Sequence, residues 1–293
     1  MVAVIAVFGP TASGKTAVAE AVADRLRTEV VSCDALQVYR GLPILTNQPT
    51  RPTRLVGIRE VSEEMSVGAY AALAHEAIDE LVAAHGAAVV CGGTGLYLRA
   101  ALADMAVPPR PAAGVRERIR AEVEGEAAAA HERLASIDPR AAAAVHVNDV
   151  RRLVRALELA EAGHSLVPHD DQLWAASTRH PTLIAGLDVP PDELERRIAE
   201  RTDAMFAAGV VAEVRAARAA GVSHTAVQAL GLEEIATLPE QQARERILVR
   251  TRRYAAYQRK WMRRIPGLVS VDGTRAPEEV AEAIAERVES QPL

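Results

Sequence analysis

Cysteine is nearly absent from this chain: Cys33 and Cys91 are the only two in 293 residues. Each closes a short apolar run of β character, so both read as small buried side chains, not as a disulfide or a metal site. Lysine is just as rare, with Lys15 and Lys260 alone among 34 basic residues. Arginine is therefore the default cation, and a lysine asks for a local reason. No stretch reaches the roughly 18 apolar residues that a membrane helix needs. The apolar start at residues 2–8 has no charged leader and runs at once into a glycine-rich turn. Neither a signal peptide nor a spanning helix is expected, and a soluble, reducing, cytoplasmic setting is. Net positive charge is missing as well: the formal charge is −5, which argues against a generic polyanion binder. No internal repeat is visible.

What is present is an ordinary globular composition, 49% apolar and 25% charged, enough to build a core instead of a disordered chain. Residues 2–8 and 29–33 read as short strands, apolar throughout and so buried on both faces. Between them residues 15–27 have helical spacing, with Ala17, Val18, Ala21, Val22 and Leu26 on one side. A β-α-β unit of this kind predicts a parallel sheet. Residues 69–84 form a second amphipathic helix stopped by Gly86, and residues 87–91 a third buried strand ending in Gly92-Gly93-Thr94-Gly95. Pro108, Pro109 and Pro111 then break the pattern, and residues 115–163 are rich in Ala, Glu and Arg with helical periods only. A loop-like stretch from Pro168 to Pro181 leads to a strand at 182–189. Pro190-Pro191 opens a helix over 192–208, and a last strand at 268–271 precedes a helix from Pro277. The expected fold is α/β, a P-loop NTPase-like parallel sheet flanked by helices. Residues 1–110 and 180–293 would form the core, and residues 111–179 a helical insertion domain.

Gly9-Pro10-Thr11-Ala12-Ser13-Gly14-Lys15-Thr16 has the spacing of a phosphate-binding loop and sits between a strand and a helix. The glycines let backbone N–H groups converge on a phosphate chain, the helix N-terminus adds partial positive charge, and Lys15 a full one. Thr16 is the expected Mg²⁺ ligand. Such a loop, usual in nucleotide- and ATP-binding proteins, says only that a di- or triphosphate binds.

The second strand ends in Asp34, at the carboxyl edge where ligands bind in this architecture. An acid there could bind Mg²⁺ indirectly, take a proton from an attacking group, or simply cap a turn. The third strand ends in glycines with no acid to orient water, which disfavours a hydrolysis-driven motor. Between Arg244 and Arg264 nine Lys or Arg stand against one acid, Glu245. Tyr254, Tyr257 and Trp261 interleave with that local basic stripe on an acidic protein, a candidate polyanion contact.

Taken together and in order, these pieces resemble the tRNA dimethylallyltransferases, also called isopentenyl-tRNA transferases. The likeness rests on residues 9–16, on Asp34-Ala35-Leu36-Gln37-Val38-Tyr39-Arg40-Gly41, and on Gly92-Gly93-Thr94-Gly95-Leu96-Tyr97. It continues through Asn148-Asp149 with Arg151-Arg152 and Arg155-Ala156-Leu157-Glu158, and Arg201 with Met205 and Gly209. It ends in Thr251-Arg252-Arg253-Tyr254 through Gln258, Trp261 and Arg263. The resemblance implies transfer of a dimethylallyl group from dimethylallyl diphosphate to N6 of an adenosine next to the tRNA anticodon, with Mg²⁺ and the anticodon stem-loop as partners. It implies that residues 9–16 hold the diphosphate, that Lys15, Thr16 and Arg201 act on it, and that Asp34 accepts the N6 proton. Asp34, Ala35, Leu36, Gln37 and Thr94 would meet the extruded base. Arg116, Asn148, Asp149, Arg151, Arg152, Arg252 and Arg253 would contact the rest of the tRNA. A monomer without membrane attachment is expected.

Three segments depart from the family pattern. Arg54-Leu55-Val56-Gly57-Ile58 stands where a histidine pair is usual, Val150 where a proline follows Asn-Asp, and Gly231-Leu232-Glu233 where Gly-Tyr-Arg or Gly-Tyr-Lys is usual. The nearest rival is an adenylate dimethylallyltransferase acting on free AMP, ADP or ATP, which the stretch from Gly41 to Thr50 faintly resembles. A small-molecule P-loop kinase and a non-catalytic RNA-binding protein are the readings from other classes.

Overall fold

The structure, a computed structural model, describes residues 2–105, 114–167 and 175–290. Pro108, Pro109, Pro111 and Pro168 lie outside the described residues. The chain divides into two compact units, one drawn from Met1–Met105 and Ala176–Leu293, the other from Ala106–Ala175.

The first unit is built on five parallel strands: β1 (Val4–Phe8), β2 (Val30–Ser32), β3 (Ala88–Gly92), β4 (Thr182–Asp188) and β5 (Leu268–Asp272). Their order across the sheet is β2-β3-β1-β4-β5. Every residue of β1 is buried, and the two-residue period of a strand explains why. Val4, Ala6 and Phe8 enter one core, Ile5 and Val7 the core on the opposite face. Both faces are covered, as parallel sheets require.

On the Ile5 and Val7 side lie α1 (Lys15–Leu26) and α12 (Pro277–Ser290). The other side carries α2 (Val67–His85), α3 (Gly95–Leu102), α9 (Val210–Ala219) and part of α11 (Glu240–Met262), with α8 (Pro191–Ala207) and α10 (Leu232–Thr237) completing the unit. The ends of α2 follow from local chemistry. The Ser66 side chain accepts the Ala69 N–H, and Gly86 takes the left-handed conformation that ends the helix.

The expected β-α-β unit is present, yet β1 and β2 are not neighbours, because β3 lies between them. Glycine at the tip of β3 brings their ends together all the same. A Cβ on Gly92 would stand 2.5 Å from the Cys33 carbonyl oxygen at the end of β2, and one on Gly93 2.9 Å from the Gly9 carbonyl after β1. Cys33 and Cys91 are free and buried in cores on opposite faces of the sheet. The departing Arg54 segment runs beside β2: the Arg54 N–H donates to the Val30 carbonyl, and its guanidinium meets Glu29 and Glu80.

The second unit is helical in its described part: α4 (Val115–Gly125), α5 (Ala127–Ile137), α6 (Pro139–Ala144) and α7 (Val150–Glu161). Ile119, Leu134, Leu153 and Leu157 form its core. Glu158, buried beneath them, is held by two hydrogen bonds from Arg116 and one from Arg155.

Candidate active site

The phosphate loop leaves β1 and enters α1 in the geometry such a loop needs. Gly14 is left-handed at φ 85° and begins the helix, and Ala12 also has a positive φ of 64°. Gly9 is required by close packing, since a Cβ there would lie 2.6 Å from the Ser13 hydroxyl. That hydroxyl is buried with no partner among the described residues, a polar atom left for a ligand oxygen. The Lys15 ammonium donates to the Pro10 carbonyl at 3.3 Å.

Two arginines reach the loop from α8, one turn apart. Arg201 donates to the Thr11 hydroxyl at 2.7 Å. Arg197, paired with Glu193, donates to the Ser13 carbonyl. The resemblance points to Arg201, which the structure places at the loop, but not to Arg197.

A single cavity gathers Thr11, Lys15, Thr16, Asp34 and Arg201. Asp34 reaches it from beyond β2, with Oδ1 accepting the Leu36 N–H at 2.9 Å and the second oxygen left for other work. Neither Lys15 nor Arg201 has an acidic partner within ion-pairing distance among the described residues. Both keep part of their surface open to the cavity, yet the protein packed around their heads strips water and lowers both proton affinities, an effect that the charge of Asp34 opposes.

Of the segment at residues 34–37, Leu36 and Gln37 also line the cavity, and Ala35 packs against the core. Gln37 is fixed at both ends: Oε1 accepts from the Ser32 hydroxyl at 2.9 Å, and Nε2 donates to the Asn47 carbonyl at 2.9 Å. The turn that supplies Asn47 is held in turn by the Glu213 carboxylate, which accepts the N–H groups of Ile44 and Leu45 at 2.8 Å. Thr94 stands behind Tyr254, their oxygens 3.4 Å apart. Burial, with Asp34 adding to it, pushes the Tyr254 phenol up to about 12. The rest of the wall mixes the apolar side chains of Leu45, Ile198, Met205, Leu230 and Ile247 with the hydroxyls of Thr46, Thr202 and Thr251.

α11 divides the basic stripe. Arg244 meets Asp203 and Glu240, Arg252 meets Glu195 at 3.0 Å, Arg259 meets Asp188 at 3.5 Å, and Arg250 meets Glu234. Arg246, Arg253 and Lys260, seven residues apart, are exposed and make no ion pair among the described residues. Tyr254 and Gln258 line the cavity, and the Trp261 ring packs against Gly95. Gln258 is buried, which the sequence did not disclose, because a glutamine inside a charged helix looks like a solvent-facing residue.

In the helical unit, Asp149 is the N-cap of α7, accepting the Arg152 N–H at 3.1 Å, and the Asn148 N–H meets His146. Arg151 and Arg152 are exposed. Arg116 spends hydrogen bonds on Glu158.

Residues 37–265 match the family model described as IPP transferase. The tRNA dimethylallyltransferase of Anaeromyxobacter dehalogenans (strain 2CP-C) is 40% identical, over 98% of this chain and 99% of that one. The protein of the same name from Thermobifida fusca is 39% identical, over 91% and 88%. Among solved structures, the tRNA isopentenylpyrophosphate transferase of Bacillus halodurans superposes with a TM-score of 0.70 at 31% identity, covering 99% of this chain and 97% of that one. A eukaryotic dimethylallyltransferase acting on tRNA shares the fold, with a TM-score of 0.80 at 23% identity, over 100% and 81%.

Proposed function

The chain belongs to the IPP transferase family, and from that premise we propose that it transfers a dimethylallyl group from dimethylallyl diphosphate to N6 of the adenosine adjacent to the tRNA anticodon. One observation carries the reading. Two cations without acidic partners, Lys15 and Arg201, face the same cavity as one carboxylate, Asp34. Cations in that state suit a diphosphate, and a carboxylate opposite them suits a proton acceptor.

In the reaction the allylic C–O bond breaks as the C–N6 bond forms. The diphosphate leaves with the electron pair of the broken bond, and the N6 proton passes to Asp34. Loop N–H groups, Lys15 and Arg201 meet the charge that grows on the leaving oxygens. The apolar side chains of Leu45, Ile198, Met205, Leu230 and Ile247 on this wall suit the five-carbon tail.

Mg²⁺ bound with a diphosphate keeps most of its water and needs only one or two protein oxygens. The Thr16 hydroxyl, on the wall of this cavity, is such an oxygen. No group of three or more metal-binding side chains exists among the described residues, so the substrate's own oxygens would complete the site. When bound, the ion supplies positive charge against the diphosphate.

Leu36 and Gln37 would meet the extruded adenine, with Thr94 supporting that side through Tyr254. Ala35 would act beneath them, and Asn148 and Asp149 would present Arg151 and Arg152 to phosphates. Arg253 is free to join them, whereas Arg116 and Arg252 would first have to share their acids. Every reacting group comes from one chain, so a monomer suffices. A tRNA substrate implies a cytoplasmic enzyme.

The test is incubation with labelled dimethylallyl diphosphate, Mg²⁺ and either unmodified tRNA or AMP. Label is expected in the tRNA. Label in AMP alone would transfer the reading to an adenylate dimethylallyltransferase.

A further inference from the structure

Gln258 is 2% exposed and points from α11 into the gap between two loops. Its Oε1 accepts the Thr11 N–H at 2.7 Å, and its Nε2 donates to the Gly93 carbonyl at 2.9 Å. One partner is a donor and the other an acceptor, and a primary amide satisfies both without taking up a proton, which the isosteric carboxylate cannot do. The fit is close: a Cβ on Gly93 would stand 2.2 Å from Nε2, so glycine there opens the slot. Thr11 is also the residue whose hydroxyl takes the hydrogen bond of Arg201. Its peptide therefore meets Gln258 through the N–H while its side chain meets Arg201.

We propose that Gln258 is a positioning residue: its side-chain amide locks the Thr11 peptide of the phosphate loop to the tip of β3 and so aims the loop and Arg201 at the diphosphate. Neighbouring contacts add to the lock. Tyr254, one turn earlier on α11, stands beside Thr94, and the Trp261 ring fills the space that a Cβ on Gly95 would need, 2.1 Å away. The glycine-rich tip of β3 is thus shaped to receive one face of α11. The consequence for turnover rests on the prenyl-transfer reading, whereas the consequence for diphosphate binding does not.

Gln258→Leu and Gln258→Glu in the full chain test this, with thermal melting as the control for folding. Gln258→Leu is expected to weaken inorganic diphosphate binding by about tenfold in calorimetry and to lower kcat by about a hundredfold, as a displaced loop would. The KM for tRNA should stay within about twofold, because the exposed cations lie on another face of α11. Gln258→Glu keeps the shape and supplies the decisive readout. A carboxylate accepts from Thr11 but cannot donate to Gly93, and only its protonated form restores both bonds. Burial raises a carboxyl above its ordinary value of about 4.3, so the activity of Gln258→Glu relative to wild type should climb several-fold between about pH 8 and about pH 6.

A Gln258→Glu profile parallel to wild type would overturn the proposal, as would a folded Gln258→Leu with unchanged diphosphate affinity. A loss confined to the KM for tRNA would do the same. Were the wild type to bind diphosphate but prenylate nothing, the functional reading would fall, and the diphosphate affinity of Gln258→Leu would decide the lock by itself.

Discussion

In the cavity at the carboxyl edge of the sheet, Lys15 and Arg201 carry positive charge that no acid neutralises among the described residues. In the helical unit, the buried Glu158 is gripped by Arg116 and Arg155. Desolvation opposes the charged form in both settings, with opposite outcomes. Lys15 and Arg201 are left with lowered proton affinity. At Glu158 burial pushes the carboxyl up, but the hydrogen bonds of the two arginines outweigh it and leave it below the ordinary carboxylate value. Charge left unsatisfied costs stability and awaits a ligand, while charge that is paired holds the structure together.

The sharpest break of that contrast is at Asp34, the one carboxylate facing the two cations. Asp34→Asn removes the proton acceptor and should lower transfer by about a thousandfold or more. Calorimetry with dimethylallyl diphosphate should show donor affinity unchanged or improved, since a negative charge has left the site. Normal turnover would end the proton-acceptor role.

Next in size is the cationic side of the site. Arg201→Gln should cut kcat/KM for the donor by about a hundredfold, and Lys15→Met by at least as much. Neither should lower the melting temperature, because each relieves a desolvated charge. The pH dependence follows from the direction of the Lys15 shift. Lys15 attracts diphosphate only when protonated, and its proton affinity is lowered, so kcat/KM for the donor should fall as pH rises. That fall should begin below the ordinary lysine value of about 10.4, and Lys15→Arg should move it upward.

The converse is expected at Glu158. Glu158→Ala leaves Arg116 and Arg155 without their acid and should destabilise the protein by about 2 kcal/mol in denaturant melts, with kcat little changed. Because the folded-state value of Glu158 is depressed, its contribution is present above the unfolded value of about 4.3 and is lost as pH falls through the lower, folded one. Stability of Glu158→Ala and wild type should therefore converge in acid.

Much of this contrast was legible in the residues themselves. Continuous apolar runs announced buried parallel strands, and the spacing of residues 9–16 announced the loop, with Lys15, one of two lysines in an arginine-rich chain, in support. Asp34 was legible because a strand's carboxyl end is where such folds bind ligands. Strand order was not, since the glycines of β3 disclose their purpose only when β1 and β2 converge over them. Gln258 was hidden for a similar reason, because its partner Thr11 lies 247 positions away. The basic stripe was read as one feature because both faces of α11 carry arginine. Only the distant acids Asp188, Glu195 and Asp203 separate the paired face from the exposed one.

That separation yields the subtlest expected effect. Phosphate contacts release counterions, so each lost contact reduces the slope of log affinity against log salt by about 1. Replacing Arg246, Arg253 and Lys260 together with alanine should flatten the slope for tRNA binding by about 2 to 3. Replacing Arg244, Arg252 and Arg259 removes the same formal charge from cations already committed to acids. That triple variant should leave the slope nearly unchanged and alter stability by about 1 kcal/mol or less for each exposed pair. Equal flattening by both sets would mean that tRNA responds to the summed charge of α11, and the division of the helix into a structural face and an RNA face would then have no functional content.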